Sequence, residues 1–179
     1  SGLIGSDAFS GSQPEVAESR LDFSLPVPER QAHKDYLGVS GQFFTLGQVD
    51  ADILIIEIFS MYCPYCQIEA GNVNRLYELI HSAPYRTRHI KLIGIGAGNS
   101  AFEVNFFKEK YSIQFPLFSD TKFELHKQIG EVRTPHFFGL KIDDQQTFTV
   151  FYSRPGNISD PDLFLKTLLE LADKEDGND

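Results

Sequence analysis

A nearly continuous apolar run, Ile53-Leu54-Ile55-Ile56-Glu57-Ile58-Phe59, leads within four residues to Cys63-Pro64-Tyr65-Cys66. The run is too short for a typical buried helix and lacks the alternation of a half-exposed strand. It therefore predicts a strand covered on both faces, as parallel sheets require. After the second cysteine, Val73, Leu76, Tyr77 and Ile80 recur at helical spacing on one face. Pro64 suits the first position of that helix, where a missing N–H costs nothing. Strand leads to cysteines and cysteines to helix, which commits the chain to an α/β arrangement.

The remaining pattern extends that unit. Residues 90–95 predict a second strand, and Ser100 and Glu103 have capping-box spacing for a helix running to Tyr111. A short strand at 115–118 precedes a helix from Asp120, the expected N-cap, to Ile129, with Gly130 placed to end it. Residues 136–142 and 147–152 predict an antiparallel pair joined by Asp143-Asp144-Gln145-Gln146, and Asp160-Pro161 opens a last helix. Upstream, residues 36–39 and 42–46, separated by Ser40-Gly41, predict an N-terminal β-hairpin. Residues 1–24 read as a flexible arm, 25–174 as the domain and 175–179 as a flexible tail. At 179 residues one domain is expected. The chain begins at Ser1, so removal of an upstream leader, anchor or tag is expected.

Two cysteines this close cannot staple distant segments, and a bridge between them closes a loop too small to add much stability. Their purpose is chemical. Structural zinc would need two further ligands, and neither a second Cys-x-x-Cys nor a paired His motif exists among the five histidines. A helix N-terminus carries partial positive charge and free N–H groups, which favour a thiolate at Cys63. Cys63 is then the nucleophile, and Cys66, one turn inward, resolves the mixed disulfide. The bland reading is two buried apolar cysteines. A net charge of −9 argues against general nucleic-acid binding, and the longest apolar run is far too short to span a bilayer.

The strand at 53–59, the Cys63-Pro64-Tyr65-Cys66 motif on a following helix, and Thr134-Pro135 before a β-hairpin together resemble the thioredoxin superfamily. The resemblance covers about residues 36–172 and implies a three-layer α/β sandwich with a mixed central sheet flanked by helices. It implies that Pro135 is cis and faces the sulfurs, and that Thr134 offers its backbone to an extended substrate. Tyr62, Pro64 and Tyr65 would complete the substrate-binding surface. The alternative at Pro135 is an ordinary trans proline starting a strand. The stretch 94–120 is similar to the inserted αβ element of the TlpA and ResA branch and of peroxiredoxins. That branch implies disulfide exchange or reduction on partner proteins outside the bacterial cytoplasm, in the periplasm or its equivalent. An apocytochrome or a membrane electron donor would be a partner, with the protein a monomer and without a cofactor. Two departures stand out: Tyr62 replaces the Trp usual before the first cysteine, and the Pro-Tyr dipeptide is the one usual in glutaredoxins.

Two acids join the expected site. Glu57, alone in an apolar strand, stands where the superfamily places a buried acid beneath the second cysteine; burial would raise its pKa and make it a proton acceptor for Cys66. The alternative is a carboxylate that reaches a polar partner. Glu69 matches a glutamate of the ResA branch and would tune the cysteines, or be only a solvated first-turn acid. His136 is expected to point away from Pro135 and to be structural. Pairing it with the cysteines would make a copper or haem-related binding module, one alternative function. The other, a peroxiredoxin-like peroxidase, normally needs Pro-x-x-x-Thr-x-x-Cys, and residues 54–63 hold neither the proline nor the threonine. The acidic balance suits a basic partner such as a cytochrome.

Overall fold

The computed structural model describes residues 18–156 and 158–177. The expected arm therefore lies outside the described residues up to position 17, as do the last two residues of the expected tail. From Glu18 the chain is already packed: a single helical turn, Glu18–Leu21, buries Leu21, and Phe23 follows it into the core. The packed region thus begins before residue 25, because these two side chains belong to the apolar layer that holds Leu54, Ile56 and Ile58 of the sheet.

Strand β1 (Ser24–Pro26) pairs antiparallel with β2 (Phe43–Thr45), and helix α1 (Gln31–Leu37) lies between them in sequence. The N-terminal antiparallel pair is present, but residues 36–39 are not its first strand. They are the end of α1, which Gly38 terminates in a left-handed conformation (φ 65°) with its N–H on the Lys34 carbonyl. A Cβ there would also meet Asp50 Cβ at 2.6 Å, so the turn requires glycine twice over.

The main sheet has the order β5-β4-β3-β6-β7. Its strands are β3 (Ile53–Phe59), β4 (Ile90–Ala97), β5 (Leu117–Asp120), β6 (His136–Ile142) and β7 (Phe148–Pro155). β3, β4 and β5 run parallel, whereas β6 and β7 run antiparallel to their neighbours. Helices α2 (Pro64–Ile80), α3 (Ala101–Lys110) and α5 (Pro161–Asp176) contribute to one apolar layer with Ile53, Ile55 and Phe59. Leu54, Ile56 and Ile58 face the other layer, built on Leu21, Leu25, Leu37 and Phe44. Fully burying a side chain of this kind contributes roughly 1.5–3 kcal/mol, so β3, buried at every residue, anchors both layers. The alternation also decides where Glu57 goes: it falls on the face of β3 covered by α2.

The capping box at Ser100 and Glu103 forms as expected at the start of α3. Asp120 does not cap by position. It ends β5, and α4 (Glu124–Gln128) begins only after Phe123 adopts a left-handed φ of 59°. The Asp120 carboxylate nevertheless accepts the amides of Leu125 (3.0 Å) and His126 (2.9 Å), satisfying the helix start from a distance. Asp160 caps α5 through the Leu163 amide, and that helix continues through Asp176, into the expected tail.

The register of the sheet assembles the site. Ile58 of β3 lies opposite His136 of β6, so the chain leaving β3 toward the cysteines meets the chain entering β6 from Thr134-Pro135. Segments more than seventy residues apart are thereby brought together, 71 separating Cys63 from Thr134.

Candidate active site at the end of the central strand

Cys63 is the N-cap of α2, with extended backbone angles and a sulfur that accepts the Cys66 N–H at 3.3 Å. Pro64 occupies the first helical turn, and Gln67 N–H returns to the Cys63 carbonyl at 3.1 Å. Cys63 is half-buried and Cys66 fully buried, and both are free thiols. The Thr134 carbonyl lies 3.4 Å from Cys63 Sγ, within reach of its thiol proton, and the Thr134–Pro135 peptide is cis.

The two sulfurs have opposite proton affinities. Partial burial opposes ionisation at Cys63, yet hydrogen bonds from the Cys66 thiol, the Thr134 side chain and the amides of Cys66 and Tyr65 outweigh it, so its pKa falls below the ordinary thiol value. Burial drives Cys66 the other way. Donation to Cys63 and the nearby charges of Glu57 and Cys63 add to that upward shift. One sulfur is prepared to ionise while the other keeps its proton.

Glu57 is buried among the residues of β3, and burial, with the charges of Glu69 and Cys63 added, pushes its pKa up to about 8. Ionising a carboxyl there would cost more than one buried isoleucine contributes, so it is held mainly protonated at neutral pH. Glu69 is not a solvated first-turn acid. It is buried on α2, where one carboxylate oxygen accepts the Ile158 amide at 2.9 Å and lies 3.5 Å from Asn72 Nδ2. Its charge acts on Glu57.

His136 faces the opposite layer, its ring tilted against Phe138 with ring centroids 4.6 Å apart. Its Nε2 meets Ser153 Oγ at 3.0 Å, its Nδ1 is buried without a partner, and burial pulls its pKa down to about 4. It does not converge with the cysteines. Among the described residues no three His, Cys, Asp or Glu side chains gather as a metal site.

The residue missed by sequence reasoning is Asn99. Fully buried after β4, it accepts the Met61 amide at 2.9 Å and donates to Ser60 Oγ at 3.4 Å. Gln67 Nε2 holds the Met61 carbonyl at 2.7 Å, and the Tyr62 hydroxyl bonds the Glu103 carboxylate. The loop before Cys63 is thus pinned from β4, α2 and α3 together. A polar residue directly before a helix-capping serine and just after a strand was the available signal, but nothing local says which loop it holds. Around the cysteines, Tyr62 and Tyr65 are each 67% exposed and Phe102 is 79% exposed, leaving an aromatic rim.

The model of the AhpC/TSA family matches residues 17–156. Among curated proteins, the thiol-disulfide oxidoreductase ResA of Halalkalibacterium halodurans is 22% identical over 82 residues, 46% of this chain and 44% of that protein. The chain thus aligns with less than half the length of that relative. Among solved structures, a secreted Mycobacterium tuberculosis disulfide oxidoreductase homologous to E. coli DsbE gives a TM-score of 0.59 at 17% identity, covering 86% of this chain and 99% of that one. StoA from Bacillus subtilis gives 0.54 at 20% identity, covering 72% and 90%. At these identities the structural likeness establishes the thioredoxin-like fold.

Proposed function

The chain belongs to the AhpC/TSA family, and from that premise we propose that it is a thiol-disulfide oxidoreductase acting on disulfides of other proteins. The observation that carries the reading is the division of labour between two neighbouring sulfurs: Cys63 is accessible and hydrogen-bonded toward its thiolate, and Cys66 is buried and holds its proton.

In the forward direction the Cys63 thiolate attacks one sulfur of a partner disulfide. A Cys63–partner disulfide forms, and the partner's other sulfur leaves as a thiolate that takes a proton from water. Capping Cys63 removes its negative charge, one of the causes that hold the Glu57 proton. Glu57 then releases its proton to water, and the resulting carboxylate accepts the Cys66 proton. The Cys66 thiolate attacks Cys63 Sγ, releases the partner's second thiolate and leaves a Cys63–Cys66 disulfide. Two electrons have passed to the partner, and an external dithiol returns them by the reverse sequence. The aromatic rim of Tyr62 and Tyr65, with Pro64, Thr134 and Pro135, is the substrate-binding surface in this reading, and the Thr134 backbone pairs with an extended substrate.

The likeness to a secreted disulfide oxidoreductase supports work outside the cytoplasm; in this reading the chain's acidic balance suits a basic protein such as an apocytochrome as substrate, with a membrane protein as electron donor. Insulin reduction by dithiothreitol tests the activity. Turnover should disappear in Cys63→Ser, and Cys66→Ser should accumulate a mixed disulfide through Cys63. Undiminished turnover in Cys63→Ser would end the proposal.

A further inference from the structure

Away from the cysteines, a cleft of about 790 Å³ runs between the β1–α1 connection, α3 and β5. Its apolar lining includes Val27, Pro28, Val104, Ile113 and Leu117. Three basic side chains from two helices line it: Arg30 at the N-cap of α1, His33 in the first turn of α1 and Lys108 near the end of α3. None of the three forms an ion pair among the described residues, although the chain carries a net charge of −9. Glu29 and Glu109 also line the cleft, both exposed.

Lys108 is half-buried, its ammonium donating to the Phe115 carbonyl at 2.6 Å, which leaves further donors unspent. The mutual effect of the cations is visible in their proton affinities. Burial and then Arg30 bring Lys108 down to about 8, and burial followed by Lys108 and Arg30 lowers His33 against the opposing effect of its hydrogen bond with the Gln114 backbone. Arg30 and Lys108 act on each other as like charges beside an apolar wall, the exposed Glu29 and Glu109 stand at the same cleft without pairing either cation, and an anion joining the two cations relieves that repulsion. Arg30 supplies a planar fork suited to carboxylate or phosphate, and Lys108 a point charge.

We propose that this cleft binds a small organic anion, an oxyanion head held by Arg30, His33 and Lys108 with an apolar body against Val27, Pro28 and Leu117. The head is a carboxylate or a phosphate, and the probes distinguish them. Binding removes the mutual repulsion, so it takes up protons and raises the His33 titration midpoint.

The test follows the His33 ring resonances of the full-length protein by NMR while hexanoate, hexyl phosphate and inorganic phosphate are added at constant ionic strength set with chloride. At least one hexyl probe should saturate, shift the His33 midpoint upward and bind about ten-fold tighter than inorganic phosphate. Saturation by hexanoate alone would assign a carboxylate head, and by hexyl phosphate alone a phosphate head. Arg30→Gln, at an exposed position, should weaken binding about ten-fold while insulin reduction is unchanged. No saturable shift with any probe, or equal affinity in Arg30→Gln, would overturn the site. Inorganic phosphate binding as tightly as hexyl phosphate would overturn the organic body.

Discussion

Asn99 holds the backbone N–H of Met61 at 2.9 Å across a separation of 38 residues, and in doing so it fixes the loop that delivers Cys63 to the start of α2. Replacing it with alanine leaves a backbone donor unpaired in a partly buried loop, at a cost of about 1–3 kcal/mol. Asn99→Ala should lose that much stability in urea unfolding, and the Cys63 titration midpoint should rise as its donors shift. Ser60→Ala removes only the longer Asn99 contact of 3.4 Å and a 3.3 Å bond from Tyr62 N–H, and should cost less.

The lowered proton affinity of Cys63 depends on the thiol of Cys66 before it depends on Thr134 or the helix amides. Alkylation of Cys63 by iodoacetamide, followed against pH, should therefore show its inflection below the ordinary thiol value of about 8.5. In Cys66→Ala the donor is gone and the inflection should move up. Cys66→Ser keeps an O–H in its place and should move it less. An identical inflection in both variants would show that the helix amides alone set the thiolate.

Glu57 has a folded pKa of about 8, well above that of an exposed glutamate. The folded state therefore binds its proton more tightly than the unfolded chain. Its contribution to stability is fully present below the unfolded value of about 4.3 and is lost as pH rises toward 8. Wild type should lose urea resistance across that window, and Glu57→Gln, which cannot ionise, should flatten the loss. Resolution of the mixed disulfide should slow in the same variant, because the Cys66 proton has lost its acceptor. Stability with an unchanged pH slope would place the ionisation elsewhere.

Much of this was legible in the sequence because the relevant signals are local. The run of isoleucines at 53–58, the capping box at Ser100 and Glu103, and the Asp160-Pro161 start each act within one or two turns of chain. What escaped depends on distance. The partner of β2 is β1, found across an intervening helix, and residues 36–39 mimic a strand only because α1 is short. Asp120 caps α4 from the end of a strand, and Asn99 serves a loop on another element. Arg30, His33 and Lys108 line one cleft only because α3 and the start of α1 both lie beside β5. No pattern of spacing encodes such meetings; the sheet order does.

Glu69 separates charge from architecture. Its carboxylate accepts the Ile158 amide ahead of α5, and its negative charge is the second cause of the raised Glu57 pKa. Glu69→Gln keeps a side-chain oxygen that can accept the Ile158 N–H, so the fold should hold with little loss in urea unfolding. The charge is removed, so Glu57 should ionise at lower pH, and the inflection in the rate of mixed-disulfide resolution should move down from about 8. Glu69→Ala removes both functions. It leaves the buried Ile158 amide unpaired, costs about 1–3 kcal/mol, and should shift the inflection by the same amount as Gln. The comparison is decisive because an acid that serves only to hold the loop would give a Gln variant with the wild-type pH profile, whereas an acid that acts on Glu57 gives two variants with one profile and different stabilities.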